Sequence, residues 1–134
     1  MSFEGPAEDR LAIRELVARY GDAVSRQDIA DWGALWAEDS VWRHPEVGDM
    51  TGRAEIVARC ADAMARYPLL VFMAMLGSLK VTGDRAEGRA YSSELVTNTE
   101  GVTYRVTGRY DDAYVRQGGL WLFARRAFTI LHSG

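Results

Sequence analysis

Apolar residues recur at two different spacings along this chain, and the change from one to the other falls near residue 69. In "DRLAIRELVARYGDAVSRQD", Ile13, Leu16, Val17, Tyr20 and Val24 return every three or four positions and make one apolar stripe of a helix. Asp28 has the side chain of an N-cap, so the spacing predicts a second, shorter helix with Ile29, Trp32, Leu35 and Trp36 on one side. "SVW" (40–42) reads as a brief strand, followed by a loop around Pro45 and Gly48. Thr51 is placed to cap a third helix with the stripe Ile56, Val57, Cys60, Met64 and Tyr67. Pro68 ends that helix because it cannot continue the hydrogen-bond ladder.

Beyond residue 69 the period is two. Turn residues at Gly83-Asp84, Glu100-Gly101 and Gln117-Gly118-Gly119 separate four strands, at roughly 69–82, 85–98, 102–116 and 120–131. Spacers this short join antiparallel neighbours, since parallel ones need a long crossover. Helices followed by a meander predict an α+β fold: a cone in which a curved, mainly antiparallel sheet packs against three N-terminal helices. The mouth of such a cone can hold a small apolar ligand. At 134 residues the chain is expected to be a single domain over 1–134, with 1–8 a flexible N-terminus.

Composition removes several classes of function. The net charge of −3 offers no general attraction to nucleic acid or anionic membrane, so neither is expected as a partner. "LLVFMAML" (69–76) is too short to cross a bilayer, and "MSFEGPAEDR" has no basic segment followed by an apolar run. One cysteine, Cys60, cannot form an internal disulfide, which suits a reducing cytoplasm, and its place on a helical stripe makes it core rather than reactive thiol. The two histidines, His44 and His132, have no clustered ligands near them, and no glycine-rich phosphate loop is present. Neither a metal nor another cofactor is expected.

The remaining polar candidates each have two readings. His44 ends the short strand, and Pro45 restricts its backbone to extended geometry. An imidazole there is either a base in a pocket or a strand-end residue bonded to Glu46 or a loop carbonyl. Tyr20 lies on a buried stripe, so its hydroxyl meets either a pocket or a backbone carbonyl. Asp112 shares parity with Val102, Tyr104, Val106 and Tyr110, which makes it an acid on an apolar face, where desolvation could keep it protonated. A bulge would exchange it with Asp111, and either acid could pair with Arg109 or Arg125. Glu94, in "AYSSEL", is either a polar group of the cavity or an outward partner of Arg89 or Arg105. Trp36, Trp42, Phe72, Tyr104 and Tyr110 are candidate substrate-binding walls, as are Tyr91 and Trp121; the bland alternative for all of them is core or subunit interface.

The stretch "RYGDAVSRQDIADWGALWAEDSVWRHP" (19–45), with "TGRAEIV", "TGDRAEGRAYSSEL" and "GRYDDAYVRQGGLWLFARR", resembles the nuclear transport factor 2-like superfamily. It is closest in pattern to the SnoaL-like branch of polyketide cyclases and dehydratases, and the resemblance runs from about residue 9 to 128. In ketosteroid isomerase-like members a tyrosine of the first helix donates to an enolate, a carboxylate after the first strand moves the proton, and a sheet carboxyl assists. The resemblance places these roles on Tyr20, on His44 in place of the carboxylate, and on Asp111 or Asp112. The Asp/His dyad of the fold's dehydratases would need an acid at Ser25 and a histidine within "LLVFMAMLGS", and neither is there.

The expected function is therefore a cofactor-independent isomerase, cyclase or lyase that moves a proton on a small hydrophobic carbonyl compound, steroid-, terpenoid- or polyketide-like. The expected catalytic groups are His44, Tyr20 and Asp112. Two other readings stay open: a non-catalytic binding or assembly module, and an epoxide hydrolase that would need Arg105 or Arg109 and two carboxylates to converge inside. The resemblance also implies a homodimer through the outer face of the sheet.

Overall fold

A computed structural model describes residues 2–134. Ten elements follow one another: β1 (Phe3–Glu4), α1 (Ala7–Arg26), α2 (Ile29–Gly33), β2 (Trp36–His44), β3 (Gly48–Thr51), α3 (Arg53–Arg66), β4 (Leu69–Thr82), β5 (Arg85–Thr97), β6 (Thr103–Gln117) and β7 (Leu120–Ser133). The expected α+β cone is present, with three helices held by a curved sheet.

The stripe of α1 buries Ile13, Leu16, Val17, Tyr20 and Val24 as its spacing predicts. The helix lies directly on β4: a Cβ at Gly21 would stand 2.8 Å from the Phe72 carbonyl oxygen, so glycine is what permits the approach. The helix ends at Gln27, which has a left-handed backbone (φ 57°). Its side-chain amide donates to the carbonyls of Met64 and Tyr67 at 2.8 and 2.7 Å. The ends of α1 and α3 are thereby tied together.

Asp28 caps α2 as expected, accepting from the Asp31 N–H at 3.0 Å. The helix stops at Gly33, however, and Leu35 and Trp36 leave it. Trp36 opens β2 instead, and the Phe123 N–H donates to the Leu35 carbonyl at 2.9 Å. Pairing with β7 overrides a local spacing that also fits a helix. The strand read at 40–42 is thus nine residues long. The loop read after it is a hairpin to β3. Thr51 belongs to β3, and Gly52 (φ 91°) is the residue before α3. The Thr51 N–H is taken by the Glu55 carboxylate at 2.8 Å.

The sheet order is β1-β4-β5-β6-β7-β2-β3. The four long strands form the expected antiparallel meander; β2 joins β7 in parallel, and β1 joins β4 in parallel. Residues 1–8 were expected to be a flexible N-terminus; of these, residue 1 lies outside the described residues, Phe3 and Glu4 pair with Leu79 and Lys80, and α1 starts at Ala7. Breaks in register near Gly77, at Thr107/Gly108 and at Ala113/Tyr114 curve the sheet around the helices. On its concave face the rows Phe72–Glu94–Val106 and Leu76–Ala90–Tyr110–Phe128 cross the strands. A Cβ on Gly108 would collide with the Phe128 ring, so this glycine lets the ring lie flat over β6. No described helix is long and apolar enough to cross a membrane.

Candidate functional site

Between α1, α2, α3 and the concave face lies a half-open cavity of about 200 Å³. Its aromatic wall includes Tyr20, Trp32, Trp42, Phe72, Tyr110 and Phe128, and His44 and Glu94 also line it. The volume is below the usual range of ~300–1,000 Å³ for small-molecule pockets.

His44 sits where β2 ends, its ring 5.4 Å from that of Trp42 and 5.3 Å from that of Phe128. Pro45 and the turn fold back so that the N–H groups of Glu46 and Val47 donate to Nδ1 at 3.2 and 3.4 Å. Burial lowers the imidazole pKa, with Glu46 pulling weakly the other way, so the ring is neutral at neutral pH. A neutral ring that accepts at Nδ1 carries its hydrogen on Nε2.

Glu94 projects from the middle of β5 between Phe72 and Val106. Among the described residues it makes no ion pair and no side-chain hydrogen bond, and burial pushes its carboxyl up to about 7. It occupies the cavity rather than pairing outward with Arg89 or Arg105.

Tyr20 is buried within an aromatic cluster of Trp32, Trp36, Phe72, Tyr110 and Phe123. Burial pushes its hydroxyl up to about 12 despite the nearby Arg126. Tyr110 is also raised well above the ordinary phenol range, first by burial and then by Tyr20. Both phenols therefore stay protonated and can donate. The indole N–H groups of Trp32 and Trp42 are buried without an acceptor in the chain.

Asp112 faces inward, as its parity predicts, and Asp111 faces out. It is not a cavity acid, however. Its carboxylate accepts from Arg126 Nε at 2.8 Å, from Arg126 Nη2 at 3.0 Å and from the Tyr114 hydroxyl at 2.8 Å. These donors, with the Arg126 charge, favour the ionised form over the expected protonated donor, although burial pushes the carboxyl above its ordinary range. The Arg126 guanidinium lies 3.7, 4.3 and 4.5 Å from the ring centres of Tyr110, Phe123 and Tyr20. The pair is thus packed behind the rings that line the cavity.

Of the other expected walls, Trp42, Phe72 and Tyr110 line the cavity and Trp36 and Tyr104 do not. Trp36 is fully buried against Trp32, Trp42 and Phe123, because β2 begins there rather than ending a helix. Tyr104 is half-buried near the start of β6, outside the cavity lining. Tyr91 is exposed on the outer face, and the Trp121 indole donates to Asp9 at 3.2 Å, away from the cavity. Arg105 is exposed and Arg109 pairs with Asp111 outside, so the arrangement needed for epoxide hydrolysis does not form from them. The Ser25 hydroxyl accepts from the Phe72 N–H at 2.9 Å, which spends it on the backbone of β4.

Sequence reasoning missed Phe128, Trp32 and Arg59 as cavity residues. Arg59 donates to the Val47 carbonyl at 2.8 Å and holds the β2–β3 turn against α3 at the rim. Cys60 lines the cavity as well as packing in the core, and burial pushes its thiol up to about 11, which keeps it unreactive. Among the described residues no cluster of three or more His, Cys, Asp or Glu could hold a metal ion.

The model of the SnoaL-like domain matches residues 6–127, and the chain belongs to that family. An uncharacterized protein of Mycobacterium tuberculosis is 26% identical over 124 residues, covering 90% of this chain and 84% of the relative. A Novosphingobium aromaticivorans protein, proposed to be an aromatic ring hydroxylase, superposes with a TM-score of 0.88 at 26% identity, over 96% of this chain and 92% of that one. The hexachlorocyclohexane dehydrochlorinase of Novosphingobium barchaimii superposes with a TM-score of 0.82 at 18% identity, over 95% and 89%. The fold is one that a dehydrochlorinase also has.

Proposed function

We propose that this protein is a cofactor-independent isomerase, cyclase or lyase that moves a proton on a small, neutral, largely apolar carbonyl compound. One observation carries the reading: the cavity holds two indole N–H groups without an acceptor, those of Trp32 and Trp42, and one unpaired carboxyl within aromatic walls. A carbonyl oxygen only accepts hydrogen bonds, so it complements the phenols, the indole N–H groups and the His44 N–H. An adjacent C–H bond then lies near His44 and near Glu94, whose carboxyl is pushed up to about 7 by burial. Donors aimed at an oxygen that gains charge stabilise an enolate more than a ketone, which is what accelerates such a step. The small volume favours one- or two-ring compounds over four-ring steroids.

The test is deuterium uptake by a panel of enolisable ketones in heavy water, read by NMR, with Trp32 and Trp42 fluorescence as the binding signal. Uptake above the buffer rate supports the reading. Binding without uptake would make the protein a ligand-binding module. A second copy is proposed to dock on the convex sheet face, where Met73 and Met75 are 63% and 73% exposed.

A further inference from the structure

Two groups in the cavity can handle a proton, and their surroundings give them different parts. His44 Nδ1 is turned to the β2–β3 turn, where it is occupied by the Glu46 and Val47 amides. The ring therefore offers the cavity an N–H and no lone pair. A base must present a free lone pair to the C–H bond it attacks. Glu94 is the converse case: a carboxyl without a partner, standing on the concave face beside Phe72. Among the described residues it is the one carboxyl that lines the cavity.

Resting on the proton-transfer reading above, we infer that Glu94 is the base that takes the substrate proton and that His44 is the N–H donor that holds the carbonyl oxygen. The sequence pointed to the opposite assignment for His44. In the step, the C–H bond next to the carbonyl breaks and an O–H bond forms on Glu94. The released electron pair becomes the enolate double bond, and the carbonyl π pair moves to the oxygen, against the His44 Nε2–H. The O–H bond on Glu94 then breaks: its proton goes to the same or a vinylogous carbon on the enolate pair as the C=O re-forms, or to a leaving group whose bond to the β-carbon breaks as that pair becomes a new C=C bond. Each route restores the starting carboxylate without any oxidant or cofactor.

The groups that surround Glu94 leave this role open. Tyr20 and Tyr110 stay protonated, and the Cys60 thiol is pushed up by burial. Tyr104, on the neighbouring strand, is also raised. From α3, Arg59 reaches the rim, where it is engaged by the Val47 carbonyl and lies 3.6 Å from Glu55. Tyr67 supplies its carbonyl to Gln27. β4 and β7 contribute only Leu70, Phe72 and Phe128 to the lining. No cation is paired with Glu94, so nothing holds its carboxyl in the ordinary acidic range.

Two NMR readouts and one kinetic comparison test this. Long-range proton–nitrogen spectra of histidine-labelled protein, assigned with His44→Gln, are expected to show the Nε2–H form across neutral pH. Side-chain carboxyl carbon spectra, assigned with Glu94→Gln, are expected to place the Glu94 midpoint at about 7. With cyclohexanone as the exchange probe, Glu94→Gln should lose on the order of 100-fold or more in rate. His44→Gln, which keeps an N–H donor, should retain more activity than His44→Ala. An Nδ1–H tautomer, or a Glu94 midpoint in the ordinary carboxylate range, would overturn the assignment. So would a folded Glu94→Gln variant with undiminished exchange while His44→Gln is dead. If the wild type exchanges neither this ketone nor any other, the proton-transfer reading itself falls. A reversed variant pattern on an active wild type sinks the division of roles alone.

Discussion

Replacing Asp112 by Asn is expected to be the most destabilising conservative change in the sheet. Asp112 and Arg126 both have side chains with no solvent exposure. The substitution leaves a guanidinium buried with no counter-charge, and its Nη1 already lacks a partner. Breaking a buried pair in this way costs roughly 3–5 kcal/mol. The three aromatic rings contact Arg126 in wild type and variant alike, so their attraction does not offset the loss, and the full range is expected. A total stability of about 5–15 kcal/mol is usual for a domain, so the variant loses a large fraction of it. For a chain of this size that corresponds to a drop in Tm on the order of 10 °C or more.

Two companions make the test sharp. Tyr114→Phe removes one of three hydrogen bonds to the carboxylate and should cost about 1.5–3 kcal/mol. Asp112→Leu combined with Arg126→Met removes both charges, and should be less damaging than Asp112→Asn alone because no ion is left stranded. Urea unfolding at neutral pH, followed by circular dichroism, measures all three. A loss below about 1 kcal/mol for Asp112→Asn, the size expected of an exposed pair, would refute the buried ion pair.

Glu94→Gln is expected to stabilise the fold at alkaline pH and not at acid pH, by about 3 kcal/mol at most, since the site is partly open to water. The folded carboxyl sits at about 7 against an ordinary 4.5, so the penalty on the folded state is absent below 4.5, grows between the two values and is complete above 7; unfolding at two pH values checks this, and a pH-independent difference refutes it. Gly108→Ala should displace the Phe128 ring and cost about 1–3 kcal/mol by overpacking, and a neutral effect would show that the ring is not held over β6. Met75→Glu, on the convex face opposite Tyr91, should convert the proposed dimer to a monomer in light scattering without unfolding it. A wild type that is already monomeric would remove the dimer.

Much of the fold was legible because its signals are local. The period-two runs place the four long strands within a residue or two of their observed ends, since each alternation is bounded by its own turn. The helix of Tyr20 carries its stripe without ambiguity. Trp36 was misplaced because residues 32, 35 and 36 fit a helical face, and only a partner more than 80 residues away, Phe123, decides otherwise. Phe128 and Arg126 were missed for a related reason. Trp121 and Phe123 are buried at odd positions, and the break in register beside Ala113/Tyr114 moves burial to even positions from Arg126 onward. Nothing in "FARRAF" tells which arginine turns inward. For His44 the residue type and place were readable. Its tautomer was not, because that depends on two backbone amides of the turn.

Asp112 and Glu94 show how one sheet assigns opposite tasks to the same functional group. Both sit at even positions on neighbouring strands, and both face the concave side. Asp112 meets Arg126 and Tyr114, which satisfy its oxygens and fix it as an ion. A carboxylate that accepts from three buried donors, two of them on one guanidinium, is spent on the fold rather than offered to a ligand. Its arginine in turn stacks behind Tyr110 and Tyr20, so the pair stiffens the wall of the cavity without entering it. Glu94 meets Phe72 and Val106, which satisfy nothing. Its charge is destabilised, its proton is held into the neutral range, and its oxygens remain free for a ligand. Sequence parity pointed to Asp112 as inward and left Glu94 open between the cavity and an outward pair with Arg89 or Arg105. The partner on the next strand separates the structural acid from the chemical one: an arginine in one case and a hydrocarbon in the other.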